Sequence, residues 1–220
     1  MTPKMILRIL AVVIVGVLIG AFATEMLRDA PRSSQGKIRV VAEDFMPSFT
    51  LTDQDGAKVS DKDLRGEYQL VYFGFTSCPE ICPTEMQKVT NALAALPVEL
   101  KEKIQPVFIT VDPERDTEAA LKSFLEPFDP SFIALRGTEK EIDEVMDGFK
   151  VYAQKADDPK LSDYTVNHSS YIYFISPEGD LLAIFRTEDS PETIEETMES
   201  AMMANDVPAA AGVDAHSESH

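Results

Sequence analysis

"YQLVYFGFTSCPEICPTEM", residues 68–86, decides the fold. Its first half, "YQLVYFGF", is an apolar and aromatic run with Gln69 as its one polar member, the pattern of a strand buried on both faces and so placed inside a sheet that is covered on either side. Its second half holds the only two cysteines of a 220-residue chain, Cys78 and Cys82, each followed by a proline. From Glu80 to Leu96 the apolar positions Ile81, Met86, Val89, Leu93 and Leu96 recur at helical spacing, and Pro97 ends the run. The cysteines therefore lie where a buried strand hands over to a helix.

The same alternation continues downstream. "IQPVFITVD" (104–112) reads as a second buried strand, "TEAALKSFLEPF" (117–128) as a helix and "FIALRG" (132–137) as a short strand. "TEKEIDEVMDGFKVY" (138–152) reads as a helix opened by a Thr138–Glu141 capping box. A polar loop is expected over 156–168. "SSYIYFIS" and "LLAIFR" then form a hairpin about the turn "PEGD", and "SPETIEETMESAMM" (190–203) is a closing helix with Pro191 at its first position. Upstream, residues 45–66 read as strand, Asp-Gly turn and second extended piece, a hairpin lead-in. The order predicts an α/β domain: a central sheet of mostly parallel strands, an N-terminal hairpin, a terminal antiparallel hairpin and helices on both faces.

Outside this domain, expected over residues 36–206, lie two segments of different character. Residues 1–35 carry an apolar run, Ile9–Ala23, of about 22 Å as a helix. Extended from Met5 to Leu27 it reaches about 34 Å, against a hydrocarbon core of about 30 Å. Lys4 and Arg8 on its leading side favour an N-inside orientation. The expectation is a single anchor in a bacterial inner membrane with the domain in the periplasm, the alternative being a signal peptide cut after "AFA" that leaves the domain soluble there. Residues 207–220, small and polar, are expected to be a disordered tail; its His216 and His220 could chelate a metal only weakly. Formal charge is -18 overall and -20 beyond residue 32. That acidity repels phosphate backbones and argues against nucleic acid as a partner.

Loops leaving the carboxyl ends of parallel strands form the usual site of such a sheet. Cys78 follows the first buried strand, and Asp112, opening "DPERD", follows the second. Four-residue spacing on a helix brings alpha carbons to about 6 Å, which permits a disulfide or joint coordination of one ion. A helix N-terminus also stabilises thiolate, the form that attacks disulfides and binds metals. A structural staple would close too short a loop to constrain the unfolded chain much. A thioredoxin-type couple needs its thiols two residues apart, not three. "CPTE" at 82–85 echoes peroxiredoxin sites, yet Pro79 stands where their threonine belongs, which leaves peroxide reduction a weak third reading. His168, the one histidine inside the domain, adds an imidazole to two thiols. That soft set suits copper, and zinc with a water would also accept it. Met86 at helical spacing reads as core. Glu114, Arg115 and Asp116 read as loop structure, with Asp116 or Thr117 capping the next helix.

"GFTSCPEICPTEM", "VFITVDPERDT" and "YTVNHSSYIYFISPEG", in that order, resemble the SCO/SenC family of thioredoxin-fold copper proteins that assist cytochrome c oxidase assembly. The resemblance spans roughly residues 40–205. It implies a thioredoxin-like three-layer sandwich with a central mixed sheet, copper held by Cys78, Cys82 and His168, and Asp112 beside the site. It also implies an N-terminal membrane anchor, and delivery of copper to the dinuclear centre of oxidase subunit II, with an upstream copper donor possible. Thiol-disulfide reduction of that centre's cysteines by Cys78 and Cys82 is the alternative activity. Asn167, Glu80 and Ser176 depart from the family's usual aspartates, and no ligand position is lost.

Overall fold

The computed structural model describes residues 42–157 and 164–205; the expected anchor, linker and tail lie outside them. Strand β3 (Tyr68–Gly74) is buried at every position, Gln69 included, as its apolar and aromatic residues require. It pairs in parallel with β4 (Ile104–Thr110), which pairs in parallel with β5 (Ile133–Arg136). On the other side β3 meets β8 (Ile172–Ile175) antiparallel, and β9 (Leu181–Phe185) completes that hairpin. The lead-in hairpin, β1 (Thr50–Asp53) and β2 (Lys58–Ser60), docks through β1 antiparallel to β5. Its turn is closed by the Asp53 carboxylate, which accepts from the amides of Asp55 and Ala57, and by Gly56 at φ +86°.

The seven strands run β2-β1-β5-β4-β3-β8-β9. Only the central three are parallel, so the sheet is more mixed than "mostly parallel". The physical reason is connectivity: β3, β4 and β5 follow one another through helices, as parallel pairing needs, whereas β1 to β2 and β8 to β9 turn straight back as hairpins.

Helix α1 (Ile81–Ala95) is followed by the single turn α2 (Val98–Lys101); α3 (Glu118–Leu125), α4 (Glu139–Phe149) and α5 (Pro191–Asn205) follow. Alternate residues of β3 face opposite ways. Tyr68 and Tyr72 reach α5 and, through Phe108, Phe124 of α3; Phe73 packs edge-on against Phe149 of α4. With α1 packed against α5, three helices cover one face and α4 the other. This is the three-layer, thioredoxin-like sandwich expected.

The largest difference from expectation concerns residues 153–168. The chain expected to be a polar loop carries half of a two-stranded antiparallel ribbon, β6 (Ala153–Ala156) with β7 (Thr165–His168), pairing Ala153 with His168. Its pattern is polar because the ribbon lies outside the main sheet and only Val166 of its strand residues is buried. A strand with one buried position leaves no period-2 apolar signal.

Candidate metal centre

After β3 the backbone turns at Phe75, and the Cys78 amide donates to the Phe75 carbonyl at 3.2 Å. Helix α1 then begins without side-chain capping from Glu80. Its cap is sulfur: the Cys82 amide donates to Cys78 Sγ at 3.4 Å. The first amides of a helix have no intrahelical acceptor, so an anion placed there is stabilised by them. Both cysteines are free. The hydrogen bond from the Cys82 thiol, aided by the amides of Cys82, Glu80 and Ile81, pulls the Cys78 thiol down to about 5. Cys78 is thus a half-buried thiolate at neutral pH. Cys82 is fully buried and moves the opposite way, because its proton serves the Cys78 sulfur and burial penalises a second charge.

The space for the Cys82 sulfur exists because residue 74 is glycine. A Cβ there would stand 3.0 Å from Cys82 Sγ and 2.8 Å from the Phe108 ring. Tyr72 forms the floor, its hydroxyl driven up in pKa by burial first and by the nearby Cys82 next.

His168, the last residue of β7, closes the site. Its Nε2 lies 3.5 Å from Cys82 Sγ, and its Nδ1 lies 3.0 Å from the Ser169 carbonyl. A carbonyl only accepts, so Nδ1 carries the proton and Nε2 presents its lone pair to the sulfurs. Orienting an imidazole through its far nitrogen is how metal-binding histidines are commonly held. Burial holds the ring below its ordinary pKa, so it is neutral at pH 7. The rings of Tyr72 and Phe75 meet it edge-on at 6.2 and 5.8 Å.

Two donors each about 2.0–2.3 Å from a shared ion in trigonal or tetrahedral geometry stand about 3.5 Å apart, the Cys82–His168 separation. Thiolate, thiol and neutral imidazole form a soft set that fits a copper ion. Among the described residues no three His, Cys, Asp or Glu groups already converge as a closed cluster. The arrangement is therefore a near-assembled, open set and not a finished cage.

Asp112 is fully buried, but its oxygens are directed to partners other than sulfur. Arg115 Nε donates to Oδ2, and the Tyr164 hydroxyl donates to Oδ1 at 2.7 Å. Arg115 in turn lies over the Phe75 ring at 5.9 Å, one ring removed from His168. Asp116 has a role the sequence did not reveal. It accepts from the Thr76 amide at 3.1 Å, the Thr76 hydroxyl at 2.6 Å and the Thr110 hydroxyl at 2.5 Å, which ties the cysteine loop to the end of β4. Capping of α3 falls to Thr117 alone, which accepts from the Ala120 amide. Glu114 pairs with Lys155 of the ribbon at 2.7 Å. Met86 is core, as expected, and His216 and His220 lie outside the described residues. Of the departures from the family pattern, Glu80 and Asn167 are exposed, whereas Ser176 is buried and accepts from the amides of Glu178 and Asp180 to tighten the β8–β9 turn.

A family model described as SCO1/SenC matches residues 39–203, the strand-cysteine-helix unit, the 112–116 loop and the His168 ribbon together. The chain belongs to the SCO1/SenC family. An SCO2-like protein of Rickettsia conorii is 39% identical over 191 residues, covering 84% of this chain and 93% of its own length. Bradyrhizobium japonicum ScoI, solved with copper bound, superposes with a TM-score of 0.64 at 38% identity, over 71% of this chain and 97% of that one. BsSco, described as a member of the Sco family of cytochrome c oxidase assembly proteins and as having a disulfide switch, gives a TM-score of 0.57 at 28% identity. That match covers 77% of this chain and 99% of BsSco.

Proposed function

We propose that this SCO1/SenC protein is a copper metallochaperone whose cargo is held by Cys78, Cys82 and His168. The observation that carries the reading is the bare Nε2 of a neutral His168 lying 3.5 Å from Cys82 Sγ, beside the Cys78 thiolate. Copper in the ScoI structure and the oxidase-assembly description of BsSco support the cargo and its destination. The thiolate binds without first losing a proton. Cys82 must release one when copper arrives, so loading is accompanied by proton release. Three donors leave an open flank, through which a recipient's own thiolates and imidazole displace them one at a time. We assign the recipient as the dinuclear copper centre of cytochrome c oxidase subunit II, with a separate donor supplying copper upstream. Residues 1–35 would tether the domain to the membrane with the site in the periplasm, and N-terminal sequencing of the mature protein distinguishes a retained anchor from a cleaved leader.

A second reading is favoured by the unequal cysteines. An accessible thiolate beside a buried thiol is the arrangement of an attacking and a resolving group. Cys78 would attack a recipient's disulfide to give a mixed disulfide; the Cys82 sulfur would then lose its proton and close a Cys78–Cys82 bond. The recipient leaves as a dithiol, two electrons richer. His168→Ala separates the two. The chaperone reading expects loss of stoichiometric copper with disulfide reduction retained; copper retained at full stoichiometry would overturn it.

A further inference from the structure

The loop from Asp112 to Asp116 holds both halves of the candidate site. Asp116 fixes Thr76, two residues before Cys78. Asp112 and Arg115 fix Tyr164, four residues before His168. The grip on Tyr164 has three parts. The hydroxyl donates to Asp112 Oδ1 at 2.7 Å, Arg115 Nη1 donates to the Tyr164 main-chain carbonyl at 2.8 Å, and the guanidinium lies 3.8 Å from the Tyr164 ring centre. Asp112, fully buried, is itself ion-paired with the partly exposed Arg115, so one ion pair holds backbone, ring and hydroxyl of a single residue.

Tyr164 continues the inward face of β7. Alternate residues of an extended chain share a face, so Tyr164, Val166 and His168 point one way, with Val166 buried between. Within the described residues the ribbon has no strand partner in the seven-stranded sheet. One end is held instead by this clasp and by Lys155 to Glu114 at 2.7 Å, whereas at the other the Ser169 amide donates to the Tyr152 carbonyl at 2.9 Å and only prolongs the ribbon's own pairing.

We propose that Arg115 and Tyr164 are positioning residues for His168, which register the imidazole against the cysteines by clamping the ribbon to the 112–116 loop. The proposal rests on the copper reading for its consequence: the clasp sets how readily the imidazole leaves the cargo, and so the rate of handover. Asp112 then acts through Arg115 and Tyr164 and not on the metal.

Tyr164→Phe removes one hydroxyl and keeps the stacked ring; Arg115→Lys keeps the charge beside Asp112 but cannot also span to the Tyr164 carbonyl. On the full chain loaded anaerobically with copper(I), release to a competing chelator should quicken about tenfold in either variant, the scale of one lost hydrogen bond to a charged group. In a His168→Ala background neither substitution should quicken release further, whereas a general loss of stability would act equally in both backgrounds. In the metal-free protein the His168 ring resonances should shift or double in Tyr164→Phe, with those of Tyr68 and Phe174 unmoved. Equal effects with and without His168, or an unmoved His168 ring, overturn the clasp. Equal copper release from the unmutated chain and His168→Ala, with the ring still displaced by Tyr164→Phe, overturns the ligand set and leaves the positioning role standing.

Discussion

Cys82 Sγ and His168 Nε2 lie 3.5 Å apart although 86 residues separate them in the chain. Each arrives on a different support: the sulfur in the first turn of α1, the imidazole at the end of a ribbon that stands apart from the main sheet. The sulfur is locked by packing, since Cys82 is fully buried. The imidazole is half-buried and held by one hydrogen bond at its far nitrogen. Such a site is rigid on one side and adjustable on the other, which suits a centre that must take up and give away an ion.

Gly74→Ala tests that contact from the sulfur side. The new methyl would press on Cys82 Sγ at 3.0 Å and on the Phe108 and Tyr72 rings at 2.8 and 3.0 Å. Overpacking of this kind costs about 1–3 kcal/mol. The expected result is a folded protein, with a melting temperature a few degrees lower and copper bound at least tenfold more weakly; unchanged copper affinity would show that the sulfur is not held where the packing places it.

Alkylation reports the unequal thiols directly. The thiolate fraction of Cys78 follows a pKa of about 5, so its reaction with iodoacetamide should be half-maximal near pH 5, while Cys82 stays protected through pH 9. The folded-state value lies below the ordinary 9.0. This thiolate therefore favours the folded state fully above pH 9, and the contribution fades as pH falls to 5. Cys82→Ala removes the first donor and should move the alkylation midpoint of Cys78 upward. A midpoint that stays near 5 would assign the shift to the helix amides alone.

Lys150 ends α4 in the left-handed region, φ 59° and ψ 34°, with its amide donating to Asp147 and Met146 carbonyls. A side chain there costs about 1–2 kcal/mol that glycine avoids. Against this stands the larger unfolded-state entropy of glycine, about 0.4–1 kcal/mol. Lys150→Gly should raise stability by about 0.5 kcal/mol and the melting temperature by roughly 1–2 °C, measured by calorimetry, with copper binding unaltered because α4 lies on the sheet face away from the site.

Much of this was legible in the residues. Strand β3 and helix α1 are long, one apolar but for Gln69 and the other periodic, so burial dictates their sequence and the sequence reveals them. Cys78, Cys82 and His168 stood out as candidates because their chemistry is rare in this chain, and the fold brings Cys82 and His168 together. The ribbon was not legible, since Gln154, Lys155 and Asn167 are exposed and only Val166 answers to the core. Asp116 was not either: a carboxylate in a polar loop looks the same whether it faces water or is fully buried, and only the fold brings Thr76 and Thr110 to it.

Asp116 therefore carries the prediction least visible beforehand. Its carboxylate gathers an amide and two hydroxyls in a buried setting, and burial raises its pKa against the hydrogen bonds of Thr110 and Thr76. Asp116→Ala would leave those donors unmatched at about 1–3 kcal/mol each, so the domain should lose several degrees of melting temperature and its cysteine loop should become reactive, Cys82 included. Asp116→Asn keeps one acceptor oxygen and carries no charge, and it should cost much less. The sign of the pH effect distinguishes charge from geometry. An acid whose folded-state pKa is raised weakens folding where it is ionised, and that weakening is relieved as pH falls through the raised value. Measured by denaturant titration, the stability of the unmutated protein relative to Asp116→Asn should rise as pH is lowered through that range. A difference independent of pH would show that Asp116 does not carry its raised pKa, and equal losses in the alanine and asparagine variants would show that its acceptor oxygens do not tether the loop.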